Sequence, residues 1–172
     1  WRGDVVDDAS PVIRGATGAD HPAILDLNQR YVELLSPLDA ARLARLDAQA
    51  AYHRVIADEA RIAAFLLAFR DGADYDSPNY LWFAARYPRF LYVDRIVVDG
   101  GAQGRGLGAA LYRDLFAFAA ADGVDTIACE YYSKPPNAAS VRFHAGFGFR
   151  EVGTQWLPGV RKQVSLQARA VG

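Results

Sequence analysis

The chain has 172 residues, 52% hydrophobic and 23% charged, an ordinary globular composition, and one domain of that size buries roughly two-thirds of its unfolded surface. Its 19 Lys and Arg are scattered among 20 Asp and Glu, giving a formal net charge of −1 with no long single-sign run, so no nucleic acid or other electrostatic partner is implied. The longest apolar stretch, Ile62 to Phe69, is far shorter than the roughly 20 residues that cross a bilayer, which argues against a membrane partner.

Cys129 is the single cysteine, so no intrachain disulfide forms; with no signal-like leader, this predicts a cytoplasmic setting. The chain opens at Trp1 and contains no methionine, so the native start is expected upstream and residues 1–10 carry little weight. No repeat, low-complexity tract or interdomain linker interrupts it, and one domain over 1–172 is the simplest organisation.

A short strand is predicted at Val12 to Ala16, then a helix from Asp20 and Pro22 to about Leu35, with Asp20 as N-cap and a stripe of Ile24, Leu27, Tyr31 and Leu35. A second helix fits Asp39 to Leu46. Ala51 to Ala57 and Ile62 to Phe69 read as a hairpin across Asp58 to Arg61. Residues 70–89 leave regular structure, with a short helix around Asn79 to Arg86 and Tyr75, Tyr80, Trp82 and Tyr87 concentrated there. That excursion is either a binding loop with an aromatic wall, near Asp74 and Asp76, or a satellite apolar cluster.

Strand character returns at Phe90 to Val98. A helix follows from about Gly106 to Ala121, with Leu107, Leu111, Leu115 and Phe118 on one face and Gly123 suited to its C-terminal cap. Thr126 to Tyr131 is a strand, Ala138 to Ala145 a helix, and Phe149 to Leu157 with Lys162 to Gln167 the closing strands. This order predicts a mixed α+β fold, a sheet with helices on both faces.

The most informative segment runs from Val98 to Gly108, between a strand and a helix. A turn there presents backbone N–H groups and the positive end of a helix dipole, which suits a phosphate. Glycines at 104, 106 and 108 allow positive φ and close approach of an anion, and Arg105 can add charge. A P-loop is excluded, because Ala109 and Ala110 stand where Lys and Ser or Thr are required. The dinucleotide fingerprint nearly fits at Gly104 and Gly106, with Ala109 in place of its third glycine, and stays open as an alternative.

Gln103-Gly104-Arg105-Gly106-Leu107-Gly108 resembles, at every position, the coenzyme A pyrophosphate turn of the GNAT superfamily, Gln/Arg-x-x-Gly-x-Gly/Ala, with Ile96-Val97-Val98 as its usual lead-in strand. A second block of that family is similar to Asn137, Ser140, Phe143, His144, Gly148 and Phe149 at the same spacing. The resemblance implies a mostly antiparallel twisted sheet with one parallel strand pair, the strands ending at Val98 and beginning at Thr126, which splay apart. It also implies acetyl-CoA as co-substrate and an amine acceptor. By the same resemblance, Ile96, Val97 and Val98 would meet the pantetheine through their main chain, Gly104 to Ala109 the pyrophosphate, and Asn137 the cofactor arm; family members are often homodimers.

Aminolysis of a thioester needs a neutral amine, a stabilised oxyanion and a proton for the leaving thiolate. Alkyl amines are mostly protonated at neutral pH, so a carboxylate or a water chain should take a proton. Glu130 aligns with the carboxylate used as base by some N-terminal acetyltransferases of the family, and Asp94 is the second candidate, unless it simply pairs with Arg95. A backbone N–H near Val98 would hold the oxyanion.

His144 stands where the family's usual acid is a tyrosine; a protonated imidazole could donate instead, or a phenol of Tyr131 or Tyr132, or solvent. That substitution also motivates a rival reading, a noncatalytic acyl-CoA sensor or interaction module. Cys129 reads as a buried small hydrophobe rather than a nucleophile, and His21 and His53 lack metal-like spacing, so no metal is expected.

Overall fold

The computed structural model describes residues 11–59 and 61–172, so the expectation for Trp1 to Ser10 lies outside the described residues. Among the described residues, seven strands form one sheet: β1 (Ile13–Gly15), β2 (Tyr52–Asp58), β3 (Arg61–Arg70), β4 (Phe90–Val98), β5 (Thr126–Lys134), β6 (Arg150–Trp156) and β7 (Gln163–Ala170). Their order is β1-β2-β3-β4-β5-β7-β6, and every neighbouring pair is antiparallel except β4 with β5. Five α-helices among the described residues accompany it: α1 (His21–Arg30), α2 (Ala40–Gln49), α3 (Pro78–Ala84), α4 (Leu107–Ala121) and α5 (Ala138–Gly146).

The central strand β3 explains how the layers form. Side chains alternate across a strand, and those of Ala64, Leu66 and Ala68 join the cluster under α4, with Leu107, Leu111 and Leu115. Phe65 faces the opposite way, into the cluster of α1 and α2 with Ile24, Leu27 and Leu43. Leu67 and Phe69 share that face but meet Tyr80 and Phe83 of α3. Both faces are covered, so Ala63 to Phe69 are all buried and the strand reads as a continuous apolar run.

The first helix is shorter than its apolar stripe predicts. Ile24 and Leu27 are fully buried, but the chain leaves helical geometry at Tyr31 and makes a 3-10 turn over Val32–Leu34. Tyr31 instead reaches the segment that follows β4, where its hydroxyl accepts the N–H of Gly100. Asp39 caps α2 by accepting the N–H of Arg42 at 2.7 Å, and Gly123 takes φ +70° just past α4, as a C-terminal cap requires. Strand β5 runs three residues past the expected Tyr131, because β7 pairs along it as far as Lys134 opposite Gln163.

One irregularity positions the functional groups. On β3, Leu67 pairs with Arg95 and Ala68 with Val93, leaving Asp94 as an extra residue in β4. Such a bulge changes the strand's alternation. Leu91 and Val93 before it, and Ile96 and Val98 after it, all face α4, while Tyr92 and Val97 face the other helices.

Candidate active site

Strands β4 and β5 pair over only three positions, Phe90 with Thr126, Leu91 with Ile127 and Tyr92 with Ala128. Beyond them β4 stays with β3 as far as Val98, and β5 stays with β7. The two strands therefore diverge, and the edges that face each other, from Val93 and Cys129 onward, have no ladder partner between them. Into this wedge opens a cavity of about 780 Å³, lined by Val93 to Val98, Cys129 to Tyr132, Gln103, Asn137 and His144 among others.

The glycine turn sits at the α4 side of the wedge. Gly104 has φ +84°, and Gly106, the residue before α4, has φ +72°; a Cβ at either would meet nothing within 4 Å, so conformation rather than space demands glycine there. Gly108 differs from the expected opening for an anion: its virtual Cβ lies 3.4 Å from the Phe143 ring, and it lets α4 pack closely on α5. No side chain caps α4, which leaves the N–H groups of Leu107, Gly108 and Ala109 at its start for an anion. Arg105 spends its charge on Asp58 at 2.7 Å.

The turn is anchored by residues that the sequence reading missed. Asp99 is buried and accepts from Arg30 at 2.8 Å and Arg61 at 2.6 Å. Burial alone would raise its carboxyl, but the guanidinium groups of Arg30 and Arg61 prevail and hold it below the usual range. The sequence carries no signal for this, since the two arginines come from α1 and β3.

On the opposite face lies a polar cluster. Tyr92 donates to Oε2 of Glu130 at 2.7 Å. Burial, reinforced by the negative charge of Asp94, pushes Glu130 up to about 8 against the stabilising hydrogen bond from Tyr92. Asp94 is committed elsewhere: it accepts from Nε of Arg95 at 2.7 Å and from the Tyr75 hydroxyl. Arg95 in turn donates to Asn28 Oδ1 at 2.9 Å, Ser36 Oγ at 2.9 Å and the Ser36 carbonyl at 3.2 Å. Tyr132, two residues from Glu130, shares this face, and Nζ of Lys162 lies 4.5 Å from its ring centre. Burial raises the Tyr132 phenol.

His144 is buried between α5 and α4. Its Nδ1 lies 2.7 Å from the Ser140 carbonyl, which can only accept, so Nδ1 carries a proton; in the neutral ring its Nε2, 2.8 Å from the Tyr112 hydroxyl, accepts. Burial lowers its pKa below the ordinary histidine value, favouring the neutral ring. Asn137 caps α5 through Oδ1, which accepts the Ser140 N–H at 3.3 Å. Cys129 is buried, and burial pushes its thiol well up, away from nucleophilic use.

The aromatic excursion divides between the two readings. Tyr75 lines the cavity, whereas Tyr80 and Phe83 fill the core under α3, and Trp82 stacks over Gly153 of β6. Asp76 pairs with Arg42 on the surface. Among the described residues, no group of three or more His, Cys, Asp or Glu could hold a metal ion.

The family model described as "Acetyltransferase (GNAT) family" matches residues 22–149, more than half of the chain. The chain belongs to the GNAT acetyltransferase family. The GNAT fold recurs in the ribosomal-protein-S18-alanine N-acetyltransferase of Escherichia coli, at a TM-score of 0.72 and 20% identity over 94% of both chains. The Salmonella typhimurium protein yncA, solved with its cofactor acetyl-CoA, matches at a TM-score of 0.72 and 21% identity over 95% of both chains. In sequence, a phosphinothricin N-acetyltransferase of Streptomyces coelicolor is 46% identical over 59 residues, which is 34% of this chain and 33% of that relative. The chain thus aligns with about a third of that relative's length, and the parallel strand pair seen here is the one the GNAT resemblance predicts.

Proposed function

We propose that this GNAT protein moves an acetyl group from acetyl-CoA directly to a primary amine, with Glu130 as the general base. The observation that carries the reading is the wedge: two parallel strands part after Tyr92 and Ala128, exposing main-chain groups beside a carboxyl whose pKa is near 8. Bound acetyl-CoA would supply the activated thioester. The residues present suit it: the uncapped start of α4 and the positive-φ glycines 104 and 106 offer amides to the pyrophosphate, and the free edge of Ile96 to Val98 offers main chain to the pantetheine.

Glu130, when ionised, takes a proton from the amine as its nitrogen bonds to the acetyl carbon and the carbon–sulfur bond breaks. Tyr92 holds the accepting carboxylate in place. A main-chain N–H near Val98 is assigned to the oxyanion. Asp94 is a poorer base, because Arg95 and Tyr75 already occupy it. The thiolate takes its proton from solvent or from Tyr131, which lines the cavity with its ring 5.4 Å from that of His144; the neutral His144 ring has no proton on Nε2, and Tyr132 lies on the face of Glu130, where the amine enters. A cytosolic setting rests on the single cysteine, and a homodimer only on the family resemblance.

The test is free-thiol release from acetyl-CoA with a broad amine panel. Glu130→Gln should lower kcat by about 10²- to 10⁴-fold while coenzyme A still binds. In the wild type kcat/KM should rise with pH to a plateau above about 8, where Glu130 is ionised. Tight coenzyme binding without turnover on any amine would favour the sensor instead.

A further inference from the structure

The ionisable groups that line the cavity, tyrosines and Cys129 aside, are Asp94, Arg95, Glu130, His144 and Lys162. Asp94 and Arg95 neutralise each other, and their side chains are 5% and 3% exposed. His144 has both ring nitrogens engaged. Glu130 is the proposed base. Lys162 remains as a cation with no carboxylate partner among the described residues; its only side-chain hydrogen bond there is one to the Glu33 carbonyl at 3.2 Å. An ammonium carries three N–H donors, so the others are available.

Lys162 lies on the acceptor face. It stacks on Tyr132, which shares a side of β5 with Glu130, while the pyrophosphate turn belongs to α4 on the other face. Around it the mouth of the cavity is apolar. Leu34 and Val160 line it from opposite loops and are 54% and 50% exposed, with Leu35, Leu157 and Pro158 beside them. The hydrogen bond from Lys162 to Glu33 crosses between those two loops.

From the juxtaposition of an ammonium without a carboxylate partner among the described residues, an apolar mouth and the Glu130 base in one cavity, we infer that the acceptor is a small primary amine with an apolar body and an anionic group, such as an apolar amino acid. The amine meets Glu130, the body rests against Leu34 and Val160, and the anion pairs with Lys162. This deepens the transferase reading and rests on it.

The experiment measures thiol release from acetyl-CoA with apolar amino acids, each beside its own carboxamide. The wild type should prefer the acid by about tenfold or more in kcat/KM, the size of a charge-assisted hydrogen bond. Lys162→Gln should remove that preference, raising KM for the acid by about tenfold more than KM for the amide, and Lys162→Arg should restore it. Equal use of acid and amide by the wild type, or a preference that survives Lys162→Gln, overturns the assignment of Lys162 and leaves the transferase standing. No thiol release with any amine defeats the transferase reading and this inference with it.

Discussion

At Glu130, burial outweighs a hydrogen bond. Tyr92 donates to the carboxyl, yet lost solvation and the nearby charge of Asp94 move it up to about 8. The shift has a stability consequence opposite in sign to that of a salt-bridged acid. Between its ordinary value of 4.5 and about 8, the folded state holds a proton that the unfolded chain has released, so this group's contribution falls as pH rises through that window.

His144 shows why residue type alone did not define a role. A histidine at the family's tyrosine position suggests an acid, but the Ser140 carbonyl fixes its tautomer and Tyr112 occupies the remaining nitrogen. His144→Phe should therefore leave kcat nearly unchanged and destabilise the fold by about 1–3 kcal/mol, because the buried Tyr112 hydroxyl loses its acceptor. Chemical denaturation measures the second effect; a collapse of kcat with the coenzyme still bound would restore His144 as the acid.

Between elements, the strand-to-helix turn is the unit proposed to bind the coenzyme. Its glycines were legible in the sequence, and two of them need the left-handed region that glycine alone enters cheaply. Gly106→Ala would force a Cβ into φ +72°, at about 1–2 kcal/mol, and should weaken coenzyme A binding by calorimetry. Gly108→Ala makes a useful contrast, since its strain is a 3.4 Å approach to Phe143 rather than a backbone angle. The anchor of the turn was not legible: Arg30, Arg61 and Asp99 are distant in sequence, and no local pattern joins them. The same holds for the bulge at Asp94, which arises from pairing with β3.

For the molecule as a whole, the wedge between β4 and β5 connects the two faces of the sheet, with the turn of α4 on one and the Glu130 cluster on the other. If the turn receives a coenzyme diphosphate, coenzyme A at a hundredfold excess over its Kd should stabilise the protein by about 2.7 kcal/mol, and nicotinamide dinucleotides should give no such shift. Thermal unfolding with each ligand decides between them.

The sequence by itself determined the order of elements, the glycine turn and the family, because apolar periodicity and glycine spacing are local properties of the chain. Only the tertiary structure decided which ionisable groups have partners and which do not. Asp94, Arg105 and His144 looked available in the sequence, and each is engaged by a partner brought in by folding. A side chain's charge and hydrogen bonds depend on what surrounds it in space, and in a seven-stranded sheet those neighbours come from segments remote along the chain.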